Sequence, residues 1–352
     1  MKKIIILILF PLFVNSQYNI KEFNTLLDSS FNNGPGCAAL ASLDGKTIYK
    51  YSTGKANIEL NVPIELSHKF RIGSITKQFT AVSVLLLQER GQLNLNDSIQ
   101  KHLPNFPTKK YKITIENLLT HTSGIKSYTD GDIMNEEFMR INFHQDSLTK
   151  TFSEFPLEFK PGSQFKYSNS GYHLLGLIIE KLSGIPYEDF LQKEIFTKSK
   201  MLNTTTDKNH KIIHNRVSGY DFDSVLINSH FIDMNIPFSA GNIISTVGDL
   251  KLWYESLFNY QILKKETLEK AIKPYELSNG KITSYGFGWE IDYEKGYKVI
   301  HHSGSIPGFL SNIIYYPKLN LLTVVLSNCT CNSTIKPSKQ IAQALFQEYL
   351  VK

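Results

Sequence analysis

The sequence predicts an α+β fold: a mostly antiparallel sheet made from both ends of the chain, flanked by helices, with a helical subdomain built from the middle inserted into it. Three observations point there. Short apolar runs separated by turn residues occur early in the chain and again after Ser284. The middle instead carries apolar runs of helical length, closed by Gly91, Gly124 and Gly184. With 352 residues and ordinary apolar content, the chain suits one large domain or two intimate ones.

The elements follow in order. Lys2-Lys3, the apolar run from Ile4 to Val14 and then Asn15-Ser16 read as a signal peptide, residues 1–16, cleaved after Ser16. The run is short for a bilayer and holds Pro11, so no transmembrane anchor is expected after cleavage. A retained anchor is the other reading of the same run. Residues 17–33 form a lead-in, and 34–352 the folded domain, with its α/β part from 34–70 and 255–352 and its helical part from 71–254. Residues 37–43, the turn Asp44-Gly45 and residues 46–51 read as a hairpin. The run 78–88 is apolar on most sides and reads as a buried helix ending at Gly91. Further helices are expected at 114–120, 171–182 and 246–257, and Thr246 and Asp249 have capping-box spacing, a structural role. Strands are expected at 284–291, 297–302, 309–316 and 321–326, and a closing amphipathic helix at 340–350. A cleft belongs between the two parts, where sites usually lie.

Composition narrows the function. The formal charge of +6 includes Lys2 and Lys3, and the rest is spread without a long basic block, so no nucleic-acid partner is expected. Three cysteines, Cys37, Cys329 and Cys331, permit one disulfide at most within a monomer. Cys37 lies in an apolar strand and reads as a small core residue. No cluster has zinc spacing, and neither a metal nor another cofactor is expected. Oligomeric state is left open.

Serine and lysine three residues apart recur eight times, so context has to choose. Four copies fall on turns marked by Gly54, Gly124, Pro161-Gly162 and Asn279-Gly280. Ser98/Lys101 and Ser147/Lys150 read as solvated faces, and Ser333/Lys336 as a tail. Ser74/Lys77 alone opens a buried helix. Helical spacing puts both side chains on one face, and the first turn surrounds Ser74 with free N–H groups and a positive field. The structural reading is a capping serine beside a first-turn lysine, but a cation is unfavourable there. Tyr167-Ser168-Asn169 is the only Tyr-x-Asn and lies in a loop feeding a helix. It supplies a phenol and an amide, or simply a polar turn that caps the helix. His302-Ser303-Gly304 ends a strand before Ser305; the bland reading is a strand running into a loop. His301 reads as structural.

In this order, Ser74-x-x-Lys77, Tyr167-x-Asn169 and His302-Ser303-Gly304 resemble the serine β-lactamase-like hydrolases, in the branch of class C β-lactamases, DD-peptidases and related esterases. The phrases Leu118-Leu-Thr-His-Thr-Ser-Gly124, Gly176-Leu-Ile-Ile-Glu180 and Tyr285-Gly-Phe-Gly-Trp289 are similar too, and the likeness runs from about residue 34 to the end. It implies a β-lactamase/transpeptidase-like fold with the active site in the cleft. It implies that Ser74 forms an acyl-enzyme, that Lys77 and Tyr167 transfer protons, and that Asn169 positions the substrate amide or Lys77. His302, Gly304 and Ser305 would bind substrate, with the N–H groups of Ser74 and Ser305 as oxyanion hole. The third motif departs from Lys-Thr-Gly. His302 is a weaker carboxylate anchor than lysine, and binding through it should weaken as pH rises through its pKa. This shifts the expected substrate from β-lactams toward esters, peptides or D-amino-acid amides. The reading is an exported serine hydrolase, periplasmic or secreted, acting on a small molecule or peptide. The alternative is a penicillin-binding sensor that acylates without turnover.

Overall fold

The computed structural model describes residues 20–31, 34–331 and 333–350. The expected signal peptide lies outside them. The strands of the central sheet, numbered in chain order, are β1 (Cys37–Leu43), β2 (Lys46–Thr53), β3 (Glu290–Glu294), β4 (Tyr297–Ile306), β5 (Phe309–Tyr316) and β6 (Leu321–Ser327). They pair in the order β3-β4-β5-β6-β1-β2, antiparallel throughout. The two ends of the chain meet where β1 pairs with β6, with Cys37 opposite Ser327 and Leu43 opposite Leu321.

Both faces of this sheet are covered, which explains the near-continuous apolar runs of β1 and β6. Ala38 and Leu40 of β1, with Leu322, Val324 and Leu326 of β6, join the main core, which includes Leu250, Trp253 and Leu257 of helix Val247–Phe258. Cys37, Ala39 and Ala41, with Leu321 and Val325, face the other way onto helix Ile335–Leu350. The residue boundary expected at 255 falls inside helix Val247–Phe258, which packs on β1 and β6. Asp44 and Gly45 both have positive φ, 48° and 75°, the twist a two-residue hairpin needs.

Several elements differ from expectation. The lead-in contains helix Ile20–Ser30, whose Phe23 and Leu27 close the second core against β2 and the last helix. Of the strand expected at 284–291 only Glu290 and Ile291 are strand, at the start of β3, which runs on to Glu294. Gly288, with φ +89°, bends the preceding segment back onto the helix carrying Lys77; a Cβ there would lie 2.9 Å from the Lys77 carbonyl oxygen. By contrast β4 runs on past His302 to Ile306, with Gly304 opposite Ser311 and Ser305 opposite Leu310. Its pairing with β5 supplies the backbone bonds that a loop would lack.

The helical layer is built on Thr76–Glu89, buried along most of its length, with Asn169–Ser183 and the short Phe238–Gly241 packed against it. Gly184, at φ 73°, ends the second of these in the left-handed conformation. Thr246 caps its helix by accepting from the Asp249 N–H at 3.1 Å. The Asp249 carboxylate does not reach back; it accepts from the Asn203 N–H and the Thr204 hydroxyl. Cys329 and Cys331 form a disulfide, and Cys37 is a free, buried thiol. Among the described residues no helix is long and apolar enough to cross a membrane, and no acidic, histidine or cysteine cluster is suited to a metal.

Asn328, fully buried after β6, ties three segments together. It accepts from the Gly36 N–H at 2.8 Å and donates to the carbonyls of Lys55 and Ser218, both at 2.9 Å. Asn328→Ala removes all three bonds, leaves the buried Gly36 N–H without this partner, and should lower the unfolding free energy by about 3 kcal/mol. Urea denaturation measures it; a loss within error of zero would show the three segments do not depend on this side chain.

Candidate active site

Ser74 sits in the short turn Gly73–Ile75 that leads into helix Thr76–Glu89. Two glycines let this turn meet β4 backbone to backbone. A Cβ on Gly304 would lie 2.0 Å from the Ile72 carbonyl oxygen, and one on Gly73, at φ +50°, would lie 2.9 Å from the Ser305 nitrogen. The Ser311 hydroxyl closes the seam by donating to the Ile72 carbonyl at 2.8 Å. The segments that carry the Ser74 and Ser305 N–H groups are therefore in contact. Ser74 is half-buried and Ser305 exposed, so both border solvent.

Lys77, one helical turn further on, is 0% exposed. Its Nζ donates to Asn169 Oδ1 at 2.7 Å and the Ala240 carbonyl at 2.9 Å, and lies 3.1 Å from Ser74 Oγ. It also lies 4.8 Å from the centre of the Tyr167 ring and 5.5 Å from that of Tyr172. All three partners are neutral, so burial holds the Lys77 pKa well below its ordinary value. The geometry suits the neutral amine. Two N–H groups serve Asn169 and Ala240, and the lone pair is left facing the Ser74 hydroxyl.

Asn169 opens helix Asn169–Ser183, and its orientation is held from behind. Its side-chain NH2 donates to Thr129 Oγ1 at 2.9 Å and its backbone N–H to Ser127 Oγ at 3.1 Å. Its Oδ1 is thereby turned to Lys77. The Tyr167 hydroxyl is buried and completes no hydrogen bond, although Ser74 lies near enough to favour its ionised form. Burial outweighs that influence and raises the Tyr167 pKa, leaving a neutral phenol. Four of the residues singled out in sequence, Ser74, Lys77, Tyr167 and Asn169, thus converge from two distant segments, and Gly304 and Ser305 border them.

His302 is placed differently from expectation. It is 2% exposed and turned inward on β4. Its Nε2 lies 2.9 Å from the Tyr285 hydroxyl and its Nδ1 2.6 Å from the Ser303 carbonyl. The carbonyl can only accept, so Nδ1 carries the proton and Nε2 accepts from Tyr285. Burial, reinforced by Lys77 nearby, drives its pKa down to about 3. Buried, lowered in pKa and bonded at both nitrogens, the ring counts against the titrating carboxylate-anchor role expected from the sequence. Its neighbour His301 is the member of the pair that meets acids, with Nε2 2.9 Å from Asp292.

The sequence reading gave no role to three other groups here. His121 and Tyr285 pack their rings beside Tyr167, at 4.1 and 6.2 Å between centres. Both lie in phrases flagged only as similar to the family. Ala240 contributes a main-chain carbonyl, which has no side-chain signature.

Residues 27–346 match the family model described as Beta-lactamase. Penicillin-binding protein 4* of Bacillus subtilis is 31% identical over 323 residues, covering 87% of this chain and 70% of that protein. Bovine mitochondrial serine beta-lactamase-like protein LACTB is 29% identical and covers 74% of this chain; the match spans 63% of its length, less than two thirds. A penicillin binding protein structure from Bacillus halodurans superposes with a TM-score of 0.80 at 25% identity, covering 92% of this chain and 98% of its own. The fold is therefore that of the β-lactamases and transpeptidases.

Burial makes the neutral histidines a source of acid lability. His121, His173 and His302 all have folded pKa values below the unfolded value near 6.5. The unfolded chain binds more protons below that pH. Their stabilisation is therefore complete above about pH 6.5 and declines by about 1.4 kcal/mol per pH unit for each ring as pH falls toward the folded values. Urea midpoints should fall gently from pH 8.5 to 7, where the unfolded lysine at position 77 binds a proton that the buried amine does not, and more steeply between 6.5 and 5, where the three rings add to it. A midpoint unchanged at pH 5 would contradict the neutral assignment.

Proposed function

The chain belongs to the β-lactamase family and is a serine hydrolase, and from that premise we propose that it cleaves an ester or amide through an acyl-enzyme on Ser74. The observation that carries this reading is the buried Lys77 amine 3.1 Å from Ser74 Oγ. A serine hydroxyl becomes a useful nucleophile when a neighbour takes its proton. To do so near neutrality, Lys77 must have a pKa well below its ordinary value. Complete burial acts in that direction. Asn169 and Ala240 hold the amine in place while its lone pair accepts the proton.

Ser74 Oγ then attacks the carbonyl carbon. The N–H groups of Ser74 and Ser305 bind the oxygen as it becomes negative, each worth about 3 kcal/mol. The departing alcohol or amine leaves with a proton supplied through Lys77 or the neutral Tyr167 phenol. In the second half water attacks the acyl group and its proton passes to the same pair, which returns it to Ser74 Oγ as the C–Oγ bond breaks and the acid departs. The neutral His302–Tyr285 pair favours substrates held without a carboxylate anchor at that position. This supports esters, peptides and D-amino-acid amides over β-lactams. The leader-like residues 1–16 support export to the periplasm or medium.

Intact-mass analysis after a fluorophosphonate or a penicillin should show an adduct that Ser74→Ala abolishes. Absence of any Ser74-dependent adduct would end the acyl-enzyme reading. Lys77→Met should lower kcat/KM for a nitrophenyl ester by at least about a thousandfold, comparable to losing an activating base.

A second test concerns His302. Because it stays neutral, KM for a carboxylate-bearing peptide should be flat between pH 5 and 8. A KM that rises severalfold with an inflection near pH 6.5 would restore the charged-anchor role.

A further inference from the structure

We propose that His121 is a positioning residue that sets Tyr167 beside Ser74 by gripping the backbone N–H groups of the residues on either side of it. This rests on the acyl-enzyme reading above. The His121 carbonyl accepts the N–H of Lys166 at 2.9 Å. Its Nδ1 accepts the N–H of Ser168 at 3.1 Å. Tyr167 lies between these two anchored amides, and its ring packs on the imidazole with centres 4.1 Å apart and planes 33° apart. One side chain and its own carbonyl thus restrain the phenol at three points.

The backbone is bent to make this possible. His121 follows the helix Ile115–Leu119 and adopts φ +57°, the left-handed region that is strained for most side chains. That turn brings carbonyl and ring to bear on the same segment. The helix end behind it is tied down, because the Thr122 N–H donates to the Asn117 carbonyl at 2.9 Å. The rings of Tyr172 and Tyr285, 5.0 and 4.8 Å away, enclose the imidazole. Only the neutral ring accepts at Nδ1, with its proton on Nε2. Burial, with Lys77 and His302 nearby, lowers the His121 pKa well below its ordinary value, so the grip persists across working pH. His121 has no hydrogen bond to Ser74 or Lys77, so it acts through Tyr167.

A grip of this kind predicts a specific pattern of kinetics. His121→Phe keeps a ring but removes the acceptor, and should lower kcat for a nitrophenyl ester about 10- to 100-fold with KM within about twofold, the scale of a small misplacement of a reacting group. In a Tyr167→Phe background the same substitution should cost almost nothing further, because its route to the chemistry is already gone. His121→Asn retains a short acceptor and tolerates the left-handed backbone, and should recover most of the loss. It also serves as the measurement if His121→Phe fails to fold. Equal losses in the two backgrounds, full kcat in His121→Phe, or an Asn variant as impaired as the Phe variant would overturn the positioning role while leaving Ser74 labelling intact. A wild-type protein that never labels at Ser74 would overturn the acyl-enzyme reading and this one with it.

Discussion

The desolvation of Lys77 is the constraint on which the site depends. An amine placed among neutral acceptors and aromatic rings gives up water that would stabilise its charge. The fold offsets that cost by surrounding the helix Thr76–Glu89 with apolar contacts on nearly every side. Gln78, next to Lys77 on this helix, is also satisfied. Gln78 donates to the Tyr254 hydroxyl at 3.1 Å and accepts from the Trp253 indole at 3.2 Å, and the Trp289 indole reaches the same hydroxyl at 3.3 Å. The helix cannot turn to bring Lys77 to solvent without breaking this network.

Close backbone approach is the second requirement. Gly73 and Gly304 bring the Ser74 turn onto β4, and Gly288 brings the bend before β3 onto the Lys77 carbonyl. A side chain at any of the three would push a wall of the site outward by more than the tolerance of a hydrogen bond. The glycines and the buried lysine therefore act together. One set narrows the space, and the other makes use of the water that narrow space excludes.

The third wall joins two remote segments through rings. Tyr285 hands its hydroxyl proton toward His302, and the rings of Tyr285 and His121 flank Tyr167. Where a lysine would place a fixed positive charge, this chain has a neutral pair linked by a hydrogen bond. Lys77 is consequently left as the basic side chain among these rings, and a second cation there would lower its pKa further at a cost in stability.

Much of this was legible in the sequence. Short apolar runs and turn residues placed β1, β2, β5 and β6, and the glycines at 91 and 184 bounded two helices, because these signals act within a few residues. The order of Ser74, Lys77, Tyr167 and Asn169 pointed to residues that the fold does bring together, because each has a chemically distinctive side chain. Other features depended on residues far apart in the chain. The end of β4 at Ile306 was set by pairing with β5, and the bend at Gly288 by contact with Lys77. The state of His302 was decided the same way. Its identity suggested a titrating group, but burial against Tyr285 and proximity to Lys77 hold it neutral. The Ala240 carbonyl and the two-sided hold of His121 are main-chain features with no letter of their own. The sequence by itself determined which chemical groups are present and the local elements that carry them. Only the tertiary structure decided which groups lost their water and which backbones came within contact, because both depend on neighbours distant in sequence.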